Sequence, residues 1–261
     1  MGVYIVTGGA NGIGRATADV LRHQGHRVIS VDVEGGDITA DLGTKEGRRR
    51  AIQKAYELCP EGIDGLACIA GIAFPIPANS TVLSVNYFGT VEIAEGLFEL
   101  LRKKGGSCVV TTSGSLTWEK EMGAPGLAQL LTDCGDEERI ARLVDSFPPN
   151  TEHNMYQTSK TALLRWARRH SVEWAVRGVR LNVIGPGCVD TRLSVKPADG
   201  GGNDSFHRTI PTHYSDLTIM EPEELGEVYA FVLSSRARGI SGSAVWVDGG
   251  QESFYNTERL R

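Results

Sequence analysis

Short apolar runs alternate with longer amphipathic ones along most of the chain. Residues 3–6, 27–31, 37–42, 65–71, 108–112, 179–184 and 244–247 are brief stretches rich in β-branched, aromatic or small apolar residues. Glycine, proline or short polar side chains bound them, which predicts buried strands. Between them lie runs with helical spacing: residues 15–24, 45–58, a segment opening at Asn86, and 221–235 with Pro222 at its start. In the segment from Asn86, Phe88, Val91, Ala94, Phe98 and Leu101 recur every three or four residues, and Gly105-Gly106 ends it. Leu163, Ala167, His170 and Trp174 mark one face of another helix, opening near Tyr156. Strand and helix alternate without an internal repeat or linker. That predicts an α/β fold, a doubly wound parallel sheet covered on both faces, in one domain over residues 1–261.

Two segments break the alternation. Residues 116–153 hold Trp118, Pro125, helical patterns over 127–132 and 137–147, then Pro148-Pro149. They read as a helical insertion ahead of the Tyr156 helix, either roofing a site or shaping a subunit interface. Residues 193–218 are polar and glycine-rich, with Gly200-Gly201-Gly202, and read as a lid over substrate.

Composition narrows the function classes. The 261 residues are 41% hydrophobic and 23% charged, those of an ordinary globule with a sizeable core. A formal charge of −5 argues against a nucleic-acid surface. The one basic cluster, Arg48-Arg49-Arg50, is expected on a solvated helix face. No apolar run is long enough for a membrane span, and a strand starting near Met1 leaves no room for a leader. Cys59, Cys68, Cys108, Cys134 and Cys188 are scattered, without a CxxC pair. They suggest a reducing compartment, hence the cytoplasm, and no metal site.

Candidate chemistry begins at the first strand–helix junction, Thr7-Gly8-Gly9-Ala10-Asn11-Gly12-Ile13-Gly14. Glycines let a diphosphate approach the backbone, and the helix N-terminus offers it free N–H groups. Asp32 closes the second strand, where a carboxylate accepts hydrogen bonds from a ribose and repels a 2′-phosphate. NAD(H) is therefore favoured over NADP(H), against the competing signal of Arg15. In Tyr156-Gln157-Thr158-Ser159-Lys160 the phenol and ammonium are four apart and share a helix face. A nearby positive charge is expected to lower the phenol pKa towards neutrality and make it a usable proton donor and acceptor. The alternative is a solvated helix face. Ser113-Gly114-Ser115 follows a strand, where open α/β sheets place ligands, although serines are also common turn formers.

TGGANGIG, Asp32, Asn86, Ser113, YQTSK, the NVIGPG turn and the VDGG ending stand in the order shown by short-chain dehydrogenases/reductases. The resemblance covers essentially the whole chain and implies a Rossmann-type sheet. Within the family, SVNYFG at 84–89, ADL at 40–42, the short gap from Gly71 to Asn86 and the insertion resemble members that act on hydroxysteroids and other carbonyls. The resemblance implies that Tyr156 is the general acid and base, and that Lys160 holds the nicotinamide ribose. It implies that Ser113 bonds the substrate oxygen, and that Asn86 holds a water linked to Lys160. Gly8, Asn11, Gly12, Ile13 and Gly14 would contact the diphosphate, Asp32 the adenosine ribose, and Asp41 and Leu42 the adenine. Ala70 and Gly71 would line the cofactor, while Pro186, Gly187, Val189 and Thr191 would fix the nicotinamide.

Two departures stand out. The family's Asn-Asn-Ala-Gly is Cys68-Ile69-Ala70-Gly71 here, which removes a bond that helps hold the central sheet. The gap from Ser113 to Tyr156 is lengthened by the insertion, so Ser115 is a rival for the serine role. The expected activity is NAD(H)-dependent interconversion of a secondary alcohol and a ketone, on a hydroxysteroid or other bulky apolar carbonyl. Trp118, Met122, Leu193 and Met220 are candidates for apolar pocket walls. The same chemistry on a small cyclic alcohol, diol, quinone or sugar is the alternative; a non-catalytic dinucleotide sensor is the distant one. The partners expected are the small substrate and a second copy in a homodimer, with a tetramer as the other state.

Overall fold

Within each strand successive side chains point to opposite faces, and both faces are covered. Ile5, Leu66, Cys68, Cys108, Val110, Leu181 and Val183 enter one apolar layer, while Tyr4, Val6, Ala67, Val109 and Ile184 enter the other. The computed structural model describes residues 1–73, 78–117, 124–148, 155–191 and 219–258. Their strands are β1 (Val3–Thr7), β2 (Arg27–Asp32), β3 (Ile38–Thr39), β4 (Gly65–Cys68), β5 (Ser107–Thr111), β6 (Arg180–Pro186) and β7 (Ala244–Val247). They form one sheet in the order β3-β2-β1-β4-β5-β6-β7, with every pair parallel. Chain direction along the sheet reverses between β1 and β4, the place where such sheets open a ligand crevice.

The described helices are α1 (Gly12–His23), α2 (Lys45–Leu58), α3 (Asn79–Leu83), α4 (Gly89–Gly96), α5 (Phe98–Lys104), α6 (Pro125–Cys134), α7 (Glu137–Val144), α8 (Met155–Val176), α9 (Pro222–Leu233) and α10 (Gln251–Tyr255). α1 and α9 pack closely, because Gly226 sits where a methyl would meet the Ala16 backbone at 3.0 Å. Thr44 caps α2 by accepting from Gly47 N–H at 3.0 Å, and Asp136 caps α7 from Arg139 N–H at 3.0 Å. The amphipathic helix expected to open at Asn86 instead begins at Asn79 and breaks at Leu97.

The described part of the insertion belongs to the core. Leu127, Ala128 and Leu131 of α6, and Ile140 and Val144 of α7, join the apolar layer on the α8 side of the sheet. Tyr87 Oη donates to Leu131 O at 3.1 Å, and Asn79 Nδ2 to Val144 O at 2.9 Å. The lid expected over 193–218 lies outside the described residues, as do Trp118, Met122 and Leu193.

One expectation is overturned here. Arg48, expected on a solvated face, is fully buried. Its guanidinium donates to Glu92 Oε2 at 2.6 Å, to Leu42 O at 3.1 Å and to the Glu137 carboxylate. It thereby ties α2 to α4, to the exit of β3 and to α7. A buried charge survives only when paired, and removing one partner strands the others. Arg48→Ala is expected to cost about 3–5 kcal/mol of unfolding free energy, read as a lower urea midpoint.

Candidate active site

The loop after β1 enters the crevice directly. Gly8 has φ +69° and lies against the Ala70 backbone, where a methyl would come within 3.0 Å. A methyl on Gly14 would sit 2.1 Å from Gly8 O, so only glycine lets the loop close onto α1. Asn11 takes the N-cap position of α1 without capping by its side chain, so it leaves the first-turn N–H groups of the helix to another acceptor. Thr191 reaches over the same loop, its Cγ2 3.1 Å from where a methyl on Gly12 would stand. Asp32 ends β2; its Oδ2 accepts from Ala10 N–H at 3.0 Å and its Oδ1 from Val33 N–H at 2.8 Å. Asp41 is exposed and binds its own turn through Gly43 N–H at 2.9 Å, whereas Leu42 is buried.

Beyond β4, threonines tie the strand ends together around Cys68-Ile69. Thr7 Oγ1 accepts from Ile69 N–H at 3.0 Å and Ala70 N–H at 3.1 Å. Thr111 Oγ1 donates to Cys68 O at 2.7 Å and, its one proton so used, accepts from Tyr229 Oη at 2.7 Å. The ends of β1, β4 and β5 are thus cross-linked by side chains.

Asn86 sits in a π-helical turn, Ser84–Phe88, that joins α3 to α4. Such wide turns displace backbone bonding and gather at functional sites. The Asn86 amide is fully buried: Oδ1 accepts from Ile72 N–H at 2.8 Å, and Nδ2 donates to Ile72 O at 3.0 Å and Ser159 Oγ at 3.3 Å. Gly71 leaves the space in front of it clear. A methyl there would stand 3.2 Å from Asn86 Oδ1 and 3.5 Å from Lys160 Nζ, so these two groups converge on one point.

Tyr156 and Lys160 share one side of α8, with Lys160 Nζ 5.7 Å from the centre of the Tyr156 ring. Lys160 is buried and donates to Thr111 O at 3.0 Å. Burial lowers its ammonium from 10.5 to about 8. The Tyr156 phenol runs opposite to the expected direction. Burial raises its pKa, a hydrogen bond with Ser113 pulls it back, and the nearby Cys188 thiol raises it further. In the protein alone, the cost of desolvating the phenolate outweighs the help it gets from Ser113.

Ser113 is buried beside Tyr156, and its Oγ lies 2.9 Å from Ser115 Oγ. The Ser113 hydrogen bond to Tyr156 favours it over Ser115 as the serine that meets a reacting oxygen. Pro186 and Gly187 close β6 against this loop, a methyl on Gly114 being 2.9 Å from Pro186 O. Val189 is buried and bridges Met220, whose Cε would lie 3.3 Å from a methyl on Gly187. The structure therefore brings Gly8 against Ala70, Gly71 before Asn86 and Lys160, and Lys160 beside Tyr156. Sequence reasoning gave no role to Thr7 or Ser159, although they stand in the TGGANGIG and YQTSK strings, nor to Thr111 and Cys188, which carry no motif. The glycine cradle, the open first turn of α1 and the clearance at Gly71 fit an extended dinucleotide.

Among known families, the model described as Enoyl-(Acyl carrier protein) reductase matches residues 133–252. The 3-alpha-hydroxysteroid dehydrogenase/carbonyl reductase of Comamonas testosteroni is 32% identical over 251 residues, covering 96% of both chains. The coniferyl-alcohol dehydrogenase of Pseudomonas sp. (strain HR199 / DSM 7063) is 34% identical over 263 residues, again covering 96% of each. In three dimensions, the 3-alpha-hydroxysteroid dehydrogenase from Pseudomonas sp. B-0831 complexed with NADH superposes with a TM-score of 0.84. It has 32% identity and covers 99% of this chain and 100% of that one.

Proposed function

Because this chain belongs to the short-chain dehydrogenase/reductase family, we propose that it interconverts a secondary alcohol and a ketone with NAD(H), on a hydroxysteroid or comparably bulky apolar carbonyl. The observation that carries the reading is the convergence of Ser113, Tyr156, Lys160 and Asn86 on one crevice that also contains the glycine cradle. The bulky substrate is supported by the 32% identity to enzymes named for hydroxysteroids.

The first turn of α1, with Gly8 and Gly14 behind it, holds the diphosphate, and Asp32 holds the adenosine ribose. The bound nicotinamide supplies the hydride chemistry. Ser113 hydrogen-bonds the substrate oxygen and stabilises charge developing there. Tyr156 gives that oxygen its proton in reduction and takes it back in oxidation. Lys160, held by Thr111 O, lies beside the phenol and holds the ribose hydroxyls. Asn86, locked by Ile72, keeps a water within reach of Lys160 and links the site to bulk solvent.

A panel of ketosteroids, small cyclic ketones, quinones and ketoses assayed with NADH tests the reading. Oxidation of NADH strongest with ketosteroids is expected. Preference for small ketones, quinones or ketoses would move the substrate class, and NADH binding without turnover on any of them would defeat the enzymatic reading. Asp32→Ser removes the charge that excludes a 2′-phosphate. It is expected to move the ratio of kcat/KM with NADH to that with NADPH by roughly ten- to a hundredfold towards NADPH, from a repulsion of about 1–3 kcal/mol. We further propose a cytoplasmic homodimer. Exposed Val172 and Val176, one turn apart at the end of α8, offer a second copy an apolar contact, and light scattering on the purified chain checks the mass.

A further inference from the structure

Ser113 is not an isolated hydroxyl. Its Oγ accepts from Ser115 N–H at 3.2 Å and lies 2.9 Å from Ser115 Oγ. A serine oxygen has one proton to donate and two lone pairs to accept with. If Ser113 spent its proton on Ser115, none would remain for Tyr156 or a substrate oxygen. If Ser115 is the donor, both Ser113 lone pairs are filled from one side and its proton is directed away from Ser115. Among the described residues, Ser113 Oγ is the partner the structure gives Ser115 Oγ, so the Ser115 proton finds its acceptor there in the second arrangement, while Ser113 already accepts the Ser115 N–H. The geometry therefore favours the second arrangement, and the direction in which Ser113 bears on the Tyr156 phenol agrees with it.

The geometry is fixed from three sides. Gln157, buried next to Tyr156 on α8, donates Nε2–H to Ser115 O at 3.0 Å. Thr117 Oγ1 donates to Gly114 O at 2.7 Å. Asn256, just after α10, donates Nδ2–H to Thr117 O at 2.9 Å. The turn that presents Ser113 is thus clamped to the same helix that presents Tyr156.

We propose that Ser115 is a positioning residue: its hydroxyl donates to Ser113 Oγ, aims the single Ser113 proton at Tyr156 and the substrate oxygen, and polarises that proton as a stronger donor. The proposal rests on the alcohol–ketone reading above. It makes the serine pair a two-member donor chain rather than one serine and a bystander.

The test pairs kinetics with a titration that needs no substrate. Using the carbonyl that the panel identifies, Ser115→Ala is expected to lower kcat about tenfold, the size of one lost hydrogen bond, with NADH affinity unchanged. Ser115→Thr, which keeps the hydroxyl, is expected to restore kcat to within about twofold, and this guards against a folding artefact. In a Ser113→Ala background, Ser115→Ala should have no further effect. In the substrate-free protein, the near-ultraviolet tyrosinate signal of Tyr156, obtained by difference against Tyr156→Phe, should titrate at higher pH in Ser115→Ala. Lys160, Cys188 and Tyr229, the other titratable groups facing the phenol, remain intact in both proteins. A Ser115→Ala kcat within twofold of wild type, an equal loss in the Ser113→Ala background, or an unmoved Tyr156 titration overturns the proposal. If wild type reduces no carbonyl, the reading beneath it fails instead, and the titration still decides the serine arrangement.

Discussion

Tyr156→Phe is expected to bind NADH as tightly as wild type and to lose turnover by about 10²–10⁴-fold, the usual contribution of a positioned acid or base. The variant removes one oxygen, and the ring still fills its place beside Lys160 and the apolar layer it packs against. With the phenol gone, Ser113 can still bond the substrate oxygen, but no group stands ready to pass it a proton. Because burial holds the phenol pKa up, reduction by the wild-type protein should be flat with pH through neutrality, where the phenol stays protonated. Oxidation, which needs the phenolate, should rise with pH. Fluorescence titration of NADH beside steady-state rates from pH 6 to about pH 10 checks both. Wild-type turnover by the phenylalanine variant would remove Tyr156 from the chemistry.

Lys160→Met is expected to remove activity by about 10²–10³-fold without weakening the fold at neutral pH. The physical ground is the lowered ammonium pKa. Between about 8 in the folded chain and 10.5 in the unfolded one, the unfolded chain holds more protons, so stability rises with pH across that window. Below pH 8 the folded state carries the full desolvation penalty. Methionine removes that penalty and gives up the 3.0 Å bond to Thr111 O, a loss of about 1 kcal/mol. Melting temperatures at pH 7 should therefore match or exceed wild type, and the rise in stability from pH 8 to 10 should flatten. A variant that melts well below wild type at pH 7 would show that Lys160 is a structural cation.

The sheet and the shape of the glycine loop were legible because each rests on local rules. Alternation between the two apolar layers shows in a few residues of strand, and the glycine loop at Gly8, Gly12 and Gly14 is dictated by backbone clearance. Tyr156 and Lys160 were legible through helical spacing. Arg48 was not, because its partners Glu92 and Glu137 are 44 and 89 residues away and a run of three arginines resembles a solvated face. The π-turn at Ser84–Phe88 has no periodic signature within five residues. Nor does sequence show that Thr111 meets Tyr229, since that bond joins β5 to α9 across 118 residues. The phenol pKa went the wrong way because proximity along a helix says nothing of how much water the ring loses.

The two helices ahead of α8, α6 and α7, also bear on how this scaffold can be shortened. Excising α6 and α7 would strip Leu131, Ile140 and Val144 from the apolar layer and leave Tyr87 and Asn79 without their acceptors at Leu131 O and Val144 O. It would also leave one guanidinium half-neutralised in the interior. A trimmed version would emerge as a sticky particle prone to precipitation, so a minimal catalyst built from this chain has to keep both helices or supply a new greasy cover in their stead.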